Sequence, residues 1–84
     1  MIIKKSNHFI DRYFERVLDK PRPTDLSFPE LESIVDSDMD DRMTSREKSN
    51  MMFISGSGGN SKIPMGNNHY VISKNKTAIT ILYG

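Results

Sequence analysis

Hydrophobic positions in residues 6–18, SNHFIDRYFERVL, recur at helical spacing. Phe9, Ile10, Tyr13, Phe14, Val17 and Leu18 form one broad apolar stripe. Ser6 or Asn7 can cap this helix, and Pro21 with Pro23 stop it. A second helix starts at Ser27-Phe-Pro-Glu30, a capping box with Pro29 in the first turn and Leu26 placed to staple onto Leu31. Leu31, Ile34 and Val35 give it a short apolar face, which runs out in the acidic residues 36–41.

Further along, the pattern changes to strands. Residues 42–50 are polar and carry no clear period. MMFIS, residues 51–55, reads as a strand ended by the loop GSGGNS. Residues 69–73 and 77–83 are rich in Val, Ile, Thr and Tyr, and Lys74-Asn75-Lys76 turns between them. Strict alternation in the last strand puts Thr77, Ile79, Ile81 and Tyr83 on one face, with Ala78, Thr80 and Leu82 on the other. The predicted architecture is a single α+β domain over residues 1–84. Two N-terminal helices pack on a three- or four-stranded antiparallel sheet that ends in a C-terminal hairpin.

Composition narrows the class. With 84 residues, 36% hydrophobic and 27% charged, the chain can build one modest core. Zero cysteines exclude a disulfide framework and a thiolate zinc site. No apolar run approaches the ~20 residues of a membrane span, and MIIKK is too short for a signal h-region. A cytoplasmic protein without a membrane partner is expected.

Net charge is only +1, but its distribution is uneven. Residues 4–22 hold six lysines and arginines plus His8 against three acids, whereas residues 25–41 hold seven acids and no base. From residue 62 onward Lys62, Lys74 and Lys76 are the only charged side chains. If the two basic ends meet in space, they form a surface for an anion that the total conceals.

Three segments are candidates for chemistry. Asp36, Asp38, Asp40 and Glu47 fall at positions 1, 3, 5 and 12 of a calcium loop, with Met43 at position 8. Asp41 stands where the loop requires glycine, so a solvated acidic helix end is the plainer interpretation. Residues 56–63, GSGGNSKI, approximate a phosphate loop. Ser61 and Ile63 replace its second glycine and its Ser or Thr, and Pro64 and Gly66 prolong the loop, leaving Lys62 as a secondary phosphate contact.

The third candidate joins both ends of the chain. His8, Arg12 and Arg16 lie four residues apart on the polar side of the first helix, and His69 opens the hairpin. Cleaving RNA without metal or cofactor needs a base, an acid and a cation for the phosphorane. Histidine can carry the proton at neutral pH, and arginine presents a fixed fork to phosphate oxygens.

HFIDRYFERVL, together with the closing Ile79-Thr80-Ile81-Leu82, resembles small proteins of the barnase, colicin-nuclease and RelE-like ribonuclease superfamily. Many short members, often of phage or mobile-element origin, open with His-x-x-x-Arg-[Tyr/Phe]-x-x-Arg-Val and end in an apolar-Thr-apolar strand. The resemblance covers both ends, about a third of the chain. It implies His8 and Arg12 at an RNA-facing edge with Thr80 on the strand beneath. His8 and His69 would then share the acid and base roles, with Arg12 and Arg16 on the phosphate. The implied partner is RNA, mRNA or ribosome-associated, in a bacterial host cytoplasm if the chain is phage-encoded. The acidic second helix and the thin basic clusters depart from that pattern. The alternative is a non-catalytic protein that binds RNA or inhibits a host protein through its acidic middle. A homo-oligomer paired through an open sheet edge is a third possibility.

Overall fold

Ser6 starts the first helix. In the computed structural model, which describes residues 3–56, 59–66 and 68–83 (backbone alone for 54–56), its hydroxyl accepts the Phe9 N–H at 3.1 Å. The helix α1 (Asn7–Arg16) buries Phe9, Ile10, Tyr13 and Phe14, while Val17 and Leu18 pack more loosely against the core. Each such large apolar side chain contributes about 1.5–3 kcal/mol by leaving water. The prolines do not end this helix. It ends earlier, at Arg16, where Leu18 and Lys20 bond back to Tyr13 and Phe14 and Asp19 takes a left-handed φ of 52°. Aspartate is among the few residues that tolerate that region.

Helix α2 (Phe28–Arg42) has the predicted capping box between Ser27 and Glu30. The Ser27 hydroxyl's hydrogen bond holds the Glu30 carboxyl below its ordinary range. Leu31, Val35 and Met39 are its buried face. The helix does not run out at the acidic stretch but continues through it to Arg42.

Residues 45–56 form a third helix, α3 (Ser45–Gly56), where a polar segment and a strand were expected. The reason is a second capping box, Thr44-Ser-Arg-Glu47. Thr44 Oγ1 accepts the Glu47 N–H, and Glu47 accepts the Thr44 N–H at 2.9 Å. Met51 is fully buried, so MMFIS seats its first methionine in the core on a helical turn. Met52 and Phe53 remain 58% and 81% exposed, which denies the segment the alternate burial of a strand.

The sheet has four strands in the order β1 (Lys4–Lys5), β4 (Thr77–Tyr83), β3 (His69–Lys74) and β2 (Asn60–Met65). It is mixed, because β1 runs parallel to β4 while the other pairs are antiparallel. Strand β2 occupies residues expected to continue a glycine-rich loop. Pro64 is tolerated there because β2 is an edge strand, where a missing N–H costs no ladder bond. Lys74 and Thr77 close the hairpin around Asn75 and Lys76, both at positive φ, as in a type I′ turn.

A register shift corrects the predicted faces of β4. Ile72 pairs with Thr80 and Ser73 with Ala78, so Ile79 is an extra, bulged residue. Ala78, Ile81 and Tyr83 therefore face inward with Val71, Ser73 and His69 of β3 and Ile63 and Met65 of β2. Against this face α1 packs along β4 and α3 along β2. Lys5 also points inward. Its ammonium, 1% exposed, donates to Asp36 Oδ1 at 2.6 Å and to the Ile3 carbonyl at 2.7 Å, tying β1 to α2. No helix among the described residues is long and apolar enough to cross a membrane.

Candidate nucleic-acid interface

The predicted catalytic residues are held in separate places. Ser6 bonds to the Ala78 and Ile79 carbonyls, fixing the start of α1 at the start of β4. At the other end, Arg16 donates to the Ile81 carbonyl, and the Tyr83 hydroxyl donates to the Arg16 carbonyl at 2.8 Å. Helix and strand thus run side by side in the same direction. His8 lies in the first turn of α1 and is exposed. His69 pairs across the ladder with Tyr83, its ring 5.2 Å away, beside the last turn. The helix rises about 12 Å between those two levels. The structure does not bring the two histidines to one phosphate.

The arginines of the expected ridge are likewise engaged. Arg12 pairs with Glu15 at 2.7 Å on the surface, and Arg16 serves as the latch to β4. Arg22 binds Asp11 and Asn7, and Arg42 binds Asp38. On His69, Nε2 is buried on the core side of the sheet, without a hydrogen-bond partner among the described residues.

The calcium spacing is not realised as a loop, because residues 36–41 are helical. At 100° per residue Asp38 points away from Asp36 and Asp40. Asp36 holds Lys5, Asp38 accepts from Tyr13 and Arg42, and Glu47 accepts the Thr44 and Gly66 amides. Among the described residues no group of three His, Asp or Glu side chains is placed to share a metal ion. The phosphate-loop segment also changes character: Lys62 and Ile63 lie in β2, and Ser57 and Gly58 lie outside the described residues.

Lys62 and Thr80, predicted as phosphate contacts, do come together, on the opposite side of the sheet. The ladder pairs Lys62 with Ile72 and Ile72 with Thr80, so the three form one row across β2, β3 and β4. The row beside it is Pro64, Tyr70 and Leu82. The row on the other side is Asn60, Lys74, Thr77 and Lys4, reaching the far edge strand. Residues directly opposed in a ladder share a face, so all these side chains point away from the helices. Tyr70, Ile72 and Thr80 are half-buried by their neighbours, and Leu82 is 39% exposed. Among the described residues no element covers this face.

The electrostatics of that face are one-signed. None of the four strands contains an Asp or Glu, and Lys4, Lys62 and Lys74 form no ion pair among the described residues. Lys62 Nζ lies 4.4 Å from the centroid of the Tyr70 ring. Acidic groups concentrate in the helical layer, where Asp11, Glu15, Asp36 and Asp38 each neutralise a base.

Sequence reasoning named Lys62 as a loop contact and Thr80 as lying beneath His8 and Arg12, so it chose two residues of this face without the face itself, and it missed Lys4, Tyr70, Ile72 and Lys74. The signal available was the absence of acids after Glu47 combined with strand alternation. Treating residues 56–66 as a loop hid it. Compared with known proteins, the chain matches no family model, no curated sequence and no solved structure.

Proposed function

We propose that this protein is a small RNA-binding domain that uses the open face of its sheet, and that it binds without cleaving. The observation that carries this reading is the segregation of charge. Three lysines without acid partners among the described residues share a face with Tyr70, Ile72 and Leu82, while in the helical layer Arg12, Arg22 and Arg42 are paired with acids and Arg16 is bonded to backbone. Uncompensated lysines on an apolar, aromatic-bearing surface suit a phosphodiester chain whose bases meet the protein. The resemblance of the chain's ends to RelE-like proteins supports RNA over other polyanions. Cleavage is left out because its acid and base would sit at opposite ends of α1.

Fluorescence anisotropy with a labelled mixed-sequence RNA of about twelve nucleotides tests this directly. Wild type should bind with a Kd of order 10⁻⁵ M at low salt, weakening as salt rises. Lys62→Glu with Lys74→Glu should reduce affinity at least ten-fold, while Arg12→Glu should change it little. Equal binding by the double variant, or a larger loss in Arg12→Glu, returns the site to the helix ridge.

A second reading has one observation in its favour. Leu18, Leu26 and Ile34 line a groove between the exit of α1 and α2, with Glu30 and Asp41 at its rim. That surface suits a basic, apolar protein segment, the partner expected of the acidic middle. RNA-independent capture of a protein partner, lost on Ile34→Asp, would favour it.

A further inference from the structure

Resting on the RNA-binding reading, we infer that the open face takes single-stranded RNA by stacking a base on Tyr70, with Lys62 moving from the ring to a phosphate. Tyr70 is the aromatic side chain the described residues place on this face. Phe9, Tyr13 and Phe14 are buried, Phe28 and Phe53 belong to helices α2 and α3, and Tyr83, though 64% exposed, lies on the helix side of the sheet with its hydroxyl on Arg16. In its row Tyr70 stands between Pro64 and Leu82, and Ile72 follows two residues along the same strand. Apolar neighbours on three sides hold the ring in place, so little side-chain entropy is left to lose on binding.

Lys62 occupies the position a base would take. Its ammonium lies 4.4 Å from the Tyr70 ring centroid, on the adjacent strand and one row away. With the Lys62 side chain exposed to water, its contact with the half-buried ring gains only about 0.5–1 kcal/mol. Base stacking on an aromatic ring is worth about 1–3 kcal/mol, and a phosphate offers the displaced ammonium a full negative charge. Both exchanges favour the nucleic acid. The displaced lysine has a flexible stem and needs no backbone movement to turn from ring to phosphate.

Geometry also selects the single strand. With strands ~4.8 Å apart and a rise of ~3.4 Å per residue, Lys74 lies about 10 Å from Lys4 straight along their row, and Lys62 about 8 Å farther on a diagonal. The strand would cross from β1 to β2, covering about four nucleotides, the lower end for small sheet domains. Stacking on Tyr70 needs an unstacked base, which a duplex does not offer, and among the described residues no element projects from this face to enter a groove.

Anisotropy with three RNA probes of equal length decides it: an ordinary single strand, the same strand with abasic residues, and its duplex. The abasic strand should bind about ten-fold more weakly than the ordinary one with the same salt slope, and the duplex more weakly as well. Tyr70→Leu should show that ten-fold loss on the ordinary strand and no further loss on the abasic one, while Tyr70→Phe keeps wild-type affinity. Lys62→Ala should lower the magnitude of the salt slope by about 0.7. Equal affinity for ordinary and abasic strands overturns the stacking inference. If Lys62→Glu with Lys74→Glu still abolishes binding in that case, charge-driven RNA binding survives without it. Wild type that binds none of the three probes overturns both.

Discussion

Tyr13 combines burial with charge. It is fully buried, and its hydroxyl donates to Asp38 Oδ2 at 2.6 Å, an oxygen that also accepts from Arg42 Nε. Burial, reinforced by the Asp38 carboxylate, raises the Tyr13 phenol well above its ordinary value of 10.0. The neutral form is therefore favoured in the folded state. That contribution is complete below pH 10 and is lost as pH rises, because the unfolded chain ionises first. Denaturant titrations should show unfolding free energy flat between pH 7 and 9. Above pH 10 Tyr13 should add a decline of up to ~1.4 kcal/mol per unit. Tyr13→Phe should cost about 1 kcal/mol at pH 7 and flatten the alkaline decline. An identical alkaline slope in both proteins would refute the assignment.

At the scale of elements, turn and cap chemistry decides what hydrophobic pattern leaves open. Lys76 sits at φ 67° in the β3–β4 turn, a conformation a lysine adopts at a cost of about 1 kcal/mol. Lys76→Gly completes the Asn-Gly pair that type I′ turns prefer, so thermal unfolding should show stabilisation of about 0.5–1 kcal/mol. No gain, or a loss, would mean the turn is not built this way.

The same elements explain what could be read from sequence. Helices α1 and α2 were legible because each joins a cap to an apolar face at helical spacing, and the hairpin because β-branched runs flank a short turn. Helix α3 was missed because only Met51 of its resolved side chains is buried, so no stripe announced it. Its Thr44–Glu47 capping box, worth about 1 kcal/mol, was the overlooked sign. Strand β2 was hidden by Pro64 and the nearby glycines, and only its edge position makes Pro64 acceptable. The parallel pairing of Lys4–Lys5 with β4 is a long-range contact that no local pattern encodes. The bulge at Ile79 likewise exchanges the faces of Thr77 and Ala78, while Thr80 to Tyr83 keep the alternation that was expected.

For the whole molecule, two layers divide the charge. The helical layer holds the acids and pairs Asp11, Glu15, Asp36 and Asp38 with arginines and buried Lys5, while the outer face of the sheet carries lysines and no acid among the described residues. Of the candidate site, sequence picked out Lys62 and Thr80 as phosphate contacts but placed them in a loop and beneath the helix ridge rather than on the open face. The histidine ridge drew attention because its spacing on one helix is regular, yet its expected partner His69 lies beside the far end of that helix. The near-neutral total of +1 conceals this division, because the acids and the bases they neutralise share the helical layer while the sheet face carries lysines without acids.

Methyl groups on the two faces of the same strands give the most direct test. Titrating a single-stranded RNA of about eight nucleotides into methyl-labelled protein should shift the resonances of Ile72, Thr80 and Leu82. Those of Ile63, Val71 and Ile81, on the core side of the same strands, should stay in place. Shifts confined to the helical layer, at Leu18 or Ile34, or no shift at all, would contradict an RNA site on the open sheet face.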